Sequence, residues 1–259
     1  MNLDLDGKVA IVGGASKGIG FAIARILSME GAQVVITARR ETELMAAAQA
    51  IEKESGHAVM HISADCRKSE DCARVVDQVI QRFGGVDILV NNDGAPPLGP
   101  VLSFDDTAWA KAVEQNLMYV VRMTRAVMPS MQERGGGSVL NITAISAIQP
   151  IPGFALSVAT WSGVIGYAKT LSLEVAAHNI NVNTICPGYI DTQRLQKVFA
   201  SGQEPAETVK ARLTQEIPMQ RIGSTDDIAH MVALLVSPRG RYITGTAIQV
   251  DGGLLRAVR

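Results

Sequence analysis

Short apolar runs rich in β-branched residues alternate with longer amphipathic segments along the whole chain. The short runs predict strands at 9–14, 33–38, 58–64, 86–92, 138–143, 180–186 and 246–251. The longer segments space their apolar positions as a helix does, and they predict helices over 18–30, 41–55, 69–83, about 104–134 and about 154–178. This alternation predicts right-handed βαβ crossovers and an α/β fold, a Rossmann-type doubly wound parallel sheet covered by helices on both faces.

No linker or low-complexity stretch interrupts this pattern, so residues 1–259 are predicted to form a single dinucleotide-binding domain. Apolar residues make up 47% of the chain and charged residues 19%, which is enough apolar material for one buried core. The segment 188–224 is the least regular and carries polar and charged clusters. It is predicted to be a substrate loop or lid over a site at the strand ends.

Charge and composition exclude several classes of function. The formal net charge of -1 gives no strong field toward nucleic acid or an anionic membrane. Cys66, Cys72 and Cys186 are scattered, and the four histidines are not clustered, so neither a disulfide framework nor a metal site is predicted. No apolar run is long enough to span a bilayer and no signal peptide is recognisable, which together favour a cytoplasmic protein.

A glycine-rich turn follows the first predicted strand and opens the first predicted helix. Its backbone can approach a pyrophosphate closely, and the helix start offers unpaired N–H groups to the phosphates. A glycine-rich turn alone is weak evidence, but its position between strand and helix makes a dinucleotide site the preferred interpretation. The residues predicted to bind the cofactor here are Gly14, Ser16, Lys17, Gly18, Ile19 and Gly20.

The end of the second predicted strand indicates which dinucleotide is bound. Sites for NAD carry an acidic residue at this point, whereas Ala38, Arg39 and Arg40 stand here and no carboxylate precedes Glu41. An arginine at this point pairs with a 2′-phosphate, and Lys17 adds a cation nearby. The sequence therefore favours NADP(H) over NAD(H). The alternative is that Arg39 and Arg40 are a solvated loop pair.

The chain resembles the classical short-chain dehydrogenase/reductase family along nearly its whole length. The landmarks that carry the resemblance occur in order: GGASKGIG at 13–20, Asp65, NNDG at 91–94, Asn116, NIT at 141–143, PGYIDT at 187–192 and ITG…VDGG at 243–253. The resemblance implies a sheet of about seven strands, a small-molecule substrate, and a homodimer or homotetramer built on two long helices.

The resemblance also implies further cofactor contacts. Asp65 and Cys66 are expected at the adenine, Asn91 and Gly94 beside the adenosine, and Pro187, Gly188, Ile190 and Thr192 at the nicotinamide. Two positions depart from the family pattern: Gly13 replaces a usual Thr, and Asp93 replaces an alanine. Asp93 could repel phosphate or take a new polar role; a solvent-facing turn residue is the alternative.

The largest departure concerns proton transfer. The family uses a Tyr with a Lys one helical turn later, a Ser on the fifth strand and an Asn, and the Lys lowers the pKa of the phenol, which is otherwise about 10. In this chain the Ser position holds Ala144, the Tyr position Ser157 and the Lys position Trp161, and Asn116 alone is retained. The catalytic tetrad is therefore predicted to be degenerate.

No shifted register restores the pattern. Tyr167 is the tyrosine of this helix, but Leu171 follows one turn later, and Lys169 falls on roughly the opposite side. The remaining candidates are the hydroxyls of Ser157, Thr143 and Ser146. Ser157 is a far weaker acid than a phenol and has no adjacent base. Trp161 has one N–H donor, and it either lies near the nicotinamide or is a core residue.

Three functions remain open. One is a non-classical enzyme that binds NADP(H) and acts on a small carbonyl-bearing substrate by isomerisation, dehydration, cyclisation or water-assisted reduction. The second is a catalytically silent cofactor-binding sensor or hetero-oligomer partner. The third is a slow carbonyl reductase in which water or Ser157 relays the proton.

Overall fold

The computed structural model describes residues 2–92, 94, 96–200 and 204–257. Its strands are β1 (Val9–Gly13), β2 (Gln33–Ala38), β3 (Met60–Ser63), β4 (Ile88–Asn91), β5 (Gly137–Ile142), β6 (Ile180–Pro187) and β7 (Ala247–Val250). Its α-helices are α1 (Gly18–Met29), α2 (Glu41–Ser55), α3 (Ser69–Phe83), α4 (Asp106–Ala112), α5 (Tyr119–Glu133), α6 (Ala155–Val175), α7 (Gln193–Phe199), α8 (Ala206–Glu216) and α9 (Thr225–Val236).

The strands form one parallel sheet in the order β3-β2-β1-β4-β5-β6-β7, so the predicted doubly wound fold is confirmed. Apolar side chains of α1, α2 and α9 cover one face, and those of α3, α5 and α6 cover the other. The strand order reverses between β1 and β4, and ligands of such sheets bind in the crevice at that switch point, beyond the carboxyl ends of the strands.

The predicted long helix over 104–134 is divided in the structure. A π-helical segment, Val113–Met118, separates α4 from α5 and contains the buried Asn116. The helix predicted over 154–178 is α6 followed by a 3-10 turn, which ends at Asn179 in the left-handed conformation. The segment 188–224 is more regular than predicted, because it contains α7 and α8.

Two smaller findings bear on the other sequence predictions. None of the helices within the described residues is long and apolar enough to cross a membrane. Cys66, Cys72 and Cys186 are buried, and none of the three forms a disulfide.

Candidate functional site

The predicted glycine turn joins β1 to α1 at the switch point of the sheet. Gly14 and Gly18 adopt positive φ angles of 58° and 61°, a conformation that glycine tolerates without strain. The N-cap residue of α1, Lys17, makes no side-chain cap, and the first turn of α1 carries no acidic residue. The first N–H groups of this 12-residue helix can therefore bind an anion such as a pyrophosphate.

Asn92, which follows β4, packs directly against this turn. Its Nδ2 donates to the carbonyl of Gly13 at 3.1 Å, and a Cβ on Gly20 would lie 2.6 Å from that Nδ2. A Cβ on Gly14 would overlap the Asn92 carbonyl. The glycines therefore allow the end of β4 to approach the turn closely.

Gly13 faces an aromatic side chain from α5. The backbone N–H of Asn92 donates to Tyr119 Oη at 3.1 Å, and Tyr119 is buried. A Cβ built on Gly13 would lie closer than 3.0 Å to that oxygen, a separation that real Cβ atoms essentially never show. The glycine in place of the usual Thr therefore makes room for a hydroxyl that reaches the turn from another helix.

The cations predicted at the end of β2 surround a carboxylate that the sequence analysis did not single out. Glu43 Oε2, in the first turn of α2, lies 2.7 Å from Arg40 Nη2 and 3.9 Å from Lys17 Nζ. Arg39 is exposed beside them. Glu43 therefore pairs with two of the cations that are predicted to bind a 2′-phosphate.

The predicted adenine contacts lie after β3. Arg67 donates from Nε and Nη2 to both carboxylate oxygens of Asp65, at 2.7 and 2.6 Å. These hydrogen bonds are the main reason that the pKa of Asp65 lies below its ordinary value. The Cys66 side chain is buried in the core, where its carbonyl accepts from the thiol of Cys72 at 3.1 Å. The Cys66 side chain is therefore part of the core.

The residues predicted beside the adenosine have mainly structural contacts. Asn91 is buried, and its Nδ2 donates to Asn141 Oδ1 at 2.9 Å, which ties β4 to β5. Gly94 has a φ of 84°, and a Cβ there would lie 2.9 Å from Gln115 Cγ, so the position requires glycine. Asp93 lies outside the described residues.

A mainly apolar cavity of about 140 Å³ lies at the carboxyl ends of β5 and β6. Its walls include the predicted residues Ile19, Thr143, Ala144, Ser146, Trp161, Pro187, Gly188, Ile190 and Thr192, and also Phe154, Tyr189 and Arg194. The structure thus brings most of the residues predicted at the nicotinamide and the reaction centre to one cavity.

The cavity contains few polar side-chain groups. Thr143 Oγ1 lies 3.2 Å from both the carbonyl of Ile185 and Cys186 Sγ. Ser146 Oγ is buried and has no hydrogen-bond partner in the described parts of the chain. Tyr189 contributes a phenol, and burial raises its pKa, so it is protonated at neutral pH. Neither Tyr189 nor Arg194 was singled out from the sequence.

Ser157 and Asn116 are buried and are not among the residues that line this cavity. Ser157 is fully buried, is not among the lining residues, and its Oγ has no hydrogen-bond partner among the residues described. Asn116 Nδ2 donates to Thr160 Oγ1 at 2.8 Å, and that hydroxyl donates to the carbonyl of Leu156 at 2.7 Å. Asn116 therefore links the π-helical segment to α6.

Trp161 lies in the wall of the cavity. Its side chain lines the cavity and is only 8% exposed. On the same helix, Tyr167 packs into the core, and burial raises its pKa. The structure therefore places Trp161, and not Tyr167, in the wall of this cavity.

Comparison with known proteins gives a consistent picture. A family model described as enoyl-(acyl carrier protein) reductase matches residues 14–255. Dehydrogenase/reductase SDR family member 4 of Homo sapiens is 36% identical over 250 residues, which cover 96% of this chain and 88% of that protein. The 3-oxoacyl-[acyl-carrier-protein] reductase FabG of Vibrio cholerae is 35% identical, over 97% of this chain and 99% of that protein.

Solved structures agree with these relatives. L-sorbose reductase from Gluconobacter frateurii, complexed with NADPH and L-sorbose, has a TM-score of 0.94 and 33% identity, with 100% of both chains covered. A variant of actinorhodin polyketide ketoreductase with NADPH has a TM-score of 0.93 and 35% identity, over 96% of this chain and 98% of that one.

Proposed function

Because the chain belongs to the short-chain dehydrogenase/reductase family, we propose that it binds NADP(H) and acts on a small carbonyl-bearing substrate without the family's Tyr–Lys proton transfer. The observation that carries this proposal is the cavity at the ends of β5 and β6. Trp161 and Ala144 line it, and no lysine is found among the described lining residues. A homo-oligomer and a cytoplasmic location stay predictions.

The cofactor half of the proposal rests on the glycine turn and the cations beside it. The first N–H groups of α1 would hold the pyrophosphate, and Lys17 and Arg40 would hold a 2′-phosphate. Glu43 now pairs with both cations, so the phosphate would replace its carboxylate. The NADPH complexes of the sorbose reductase and the polyketide ketoreductase support this choice of dinucleotide.

Binding titrations test the cofactor half. NADPH is expected to bind more tightly than NADH, and Arg40→Gln is expected to weaken NADPH binding about 10-fold or more, because a charge-assisted hydrogen bond contributes about 1.5–3 kcal/mol. Glu43→Gln is expected to strengthen NADPH binding. Lys53→Gln, an exposed change at the other end of α2, is the matched control and is expected to alter neither constant. Equal or tighter NADH binding would contradict the proposal.

The reaction half concerns what the cavity offers a carbonyl. A bound nicotinamide supplies or accepts a hydride at this position. The Thr143 hydroxyl already contacts the Ile185 carbonyl, and Ser157 does not line the cavity, so neither replaces a Tyr–Lys pair. The phenol of Tyr189, which is protonated at neutral pH, also lies in the wall. These groups suit water-assisted reduction, or a non-redox isomerisation, dehydration or cyclisation.

Restoration of the family pair tests this half. In the presence of NADPH, Ser157→Tyr with Trp161→Lys is expected to raise carbonyl reduction about 100- to 10,000-fold, the usual contribution of a positioned general acid. Ser157→Tyr alone, which lacks the cation, is the control and is expected to gain little. A wild-type rate equal to that of the folded double variant would show that another proton donor already operates.

A second candidate is a silent cofactor-binding sensor or hetero-oligomer partner. The observation that favours it is the dense packing of Ser157 and Trp161, which are 0% and 8% exposed where the family places reacting side chains. NADPH binding without turnover of any ketone, alcohol or enol, together with co-purification of a related active chain, would favour this candidate.

A further inference from the structure

Arg194 is a cation in an otherwise mainly apolar wall. It lies on α7, within the predicted lid, and its side chain lines the same cavity as Phe154, Leu195 and Val198. Its Nη2 donates to the carbonyl of Pro96 at 3.2 Å. Burial of the guanidinium lowers its pKa, and that desolvation has a free-energy cost unless the charge finds a partner.

The described residues provide no acidic partner for this guanidinium. No carboxylate in the described ranges lies within 4.0 Å of Arg194, and the guanidinium donates to the neutral carbonyl of Pro96. Two other arginines of the same segment differ in this respect. Arg212 is paired with Glu204 at 2.9 Å and Arg221 with Asp227 at 2.8 Å. A guanidinium has five N–H donors, so several remain for a ligand in the cavity.

The contact with Pro96 connects Arg194 to the loop before α6. The strand-like segment that follows Pro96 pairs with the loop before α6, where Gly99 N donates to the Gly153 carbonyl at 2.9 Å. That loop carries Phe154 into the cavity wall. The glycine turn, where a pyrophosphate would bind, contacts Thr192, whose Cγ2 lies 3.7 Å from a Cβ built on Gly18, and Ile19 of that turn lines the same cavity as Arg194. The cofactor pyrophosphate is therefore the competing partner that the experiment below has to separate from a substrate anion.

We infer that Arg194 binds an anionic group, a carboxylate or phosphate, on a substrate whose remaining part is small and apolar. A guanidinium matches the two oxygens of such a group through paired N–H donors. The apolar walls from Phe154, Leu195 and Val198 accept the carbon chain, and the carbonyl lies toward Thr143 and Trp161. This inference rests on the proposed function, because it names the substrate class of the same cavity.

Matched ligand pairs test the inference by calorimetry, with and without saturating NADPH. The probes are 4-oxopentanoate with its methyl ester, 5-oxohexanoate with its methyl ester, and hydroxyacetone phosphate with hydroxyacetone. At least one anion is expected to bind about 10-fold or more tightly than its neutral partner, the effect of one charge-assisted contact. Arg194→Met is expected to abolish the preference, and Arg194→Lys to retain part of it.

The control is Lys197→Met, an exposed cation on the same helix, which is expected to keep the full preference. Circular dichroism melts establish that each variant is folded. Absence of any anion preference in the wild type would overturn the inference, and so would a loss of NADPH affinity in Arg194→Met with the preference unchanged, since that result assigns Arg194 to the cofactor pyrophosphate. Anion preference without any NADPH binding would refute the proposed function and leave the inference standing.

Discussion

Gly13 and Tyr119 occupy adjoining space at the end of β1, and we expect substitutions at the two positions to be strongly coupled. The φ angle of Gly13 is not in the positive range, so its backbone accepts alanine. The obstacle is Tyr119 Oη, which a new Cβ would overlap. Overpacking of this kind costs about 1–3 kcal/mol, so Gly13→Ala is expected to destabilise the wild-type chain by about that amount.

Removal of the hydroxyl is expected to reverse this result. In Tyr119→Phe the nearest ring atom is Cζ, at 3.5 Å from the same Cβ, which is ordinary van der Waals contact. Tyr119→Phe itself is expected to cost about 1 kcal/mol, because the Asn92 N–H loses its acceptor. On that background Gly13→Ala is expected to be neutral or to stabilise by about 0.4–1 kcal/mol, through the reduced freedom of the unfolded chain.

A double-mutant cycle measures this coupling. The free energy of unfolding of the wild type, both single variants and the double variant is obtained from urea denaturation followed by circular dichroism. All samples are kept at one protein concentration because assembly would shift the midpoints. The expected coupling is about 1–3 kcal/mol in favour of the double variant. Equal destabilisation by Gly13→Ala on both backgrounds would refute the steric argument.

Two further predictions concern the cavity wall and a helix cap. The chain has two tryptophans, so in the Trp109→Phe variant the tryptophan emission comes from Trp161 alone. NADPH is expected to quench this emission, and unchanged emission at saturating cofactor would place the nicotinamide elsewhere. Asp227 accepts hydrogen bonds from Arg221, the main cause, and from the backbone N–H of Ser224, and these bonds lower its pKa below 3.8. The stability that the Asp227 carboxylate contributes is therefore present at neutral pH and is lost as the pH falls through the lowered pKa. Asp227→Asn is therefore expected to lower the free energy of unfolding by about 1 kcal/mol at neutral pH, with a difference that shrinks in acid; a pH-independent difference in urea titrations would contradict this assignment.

The sequence predicted the sheet and its helices because buried parallel strands and amphipathic helices leave strong periodic signals. Strand ends were less predictable, because Val59 and Ala64 flank β3 and are as buried as its Ile62 without belonging to that strand. The interruption of the 104–134 helix left no signal, since the residues of the π-helical segment also suit an α-helix.

The site was predictable where its residues are close in sequence and less so where the contact depends on packing. The glycine turn and Arg40 could be identified from their positions next to strands. Tyr119 contacts Gly13 only because α5 packs against the end of β1. Ser157 does not line the cavity because of the rotation of α6 about its axis, which the sequence pattern did not determine.

The π-helical segment sets the relative rotation of the helices on either side of it. An α-helix turns about 100° per residue, so one extra residue in a π segment changes the direction in which all later side chains point. The π-helical segment therefore allows α5 to bury its apolar face in the core while Asn116 donates to Thr160. Deletion of one residue within 113–118 would force one face or the other out of phase, so an indel here would alter the site or the core even with every other residue unchanged.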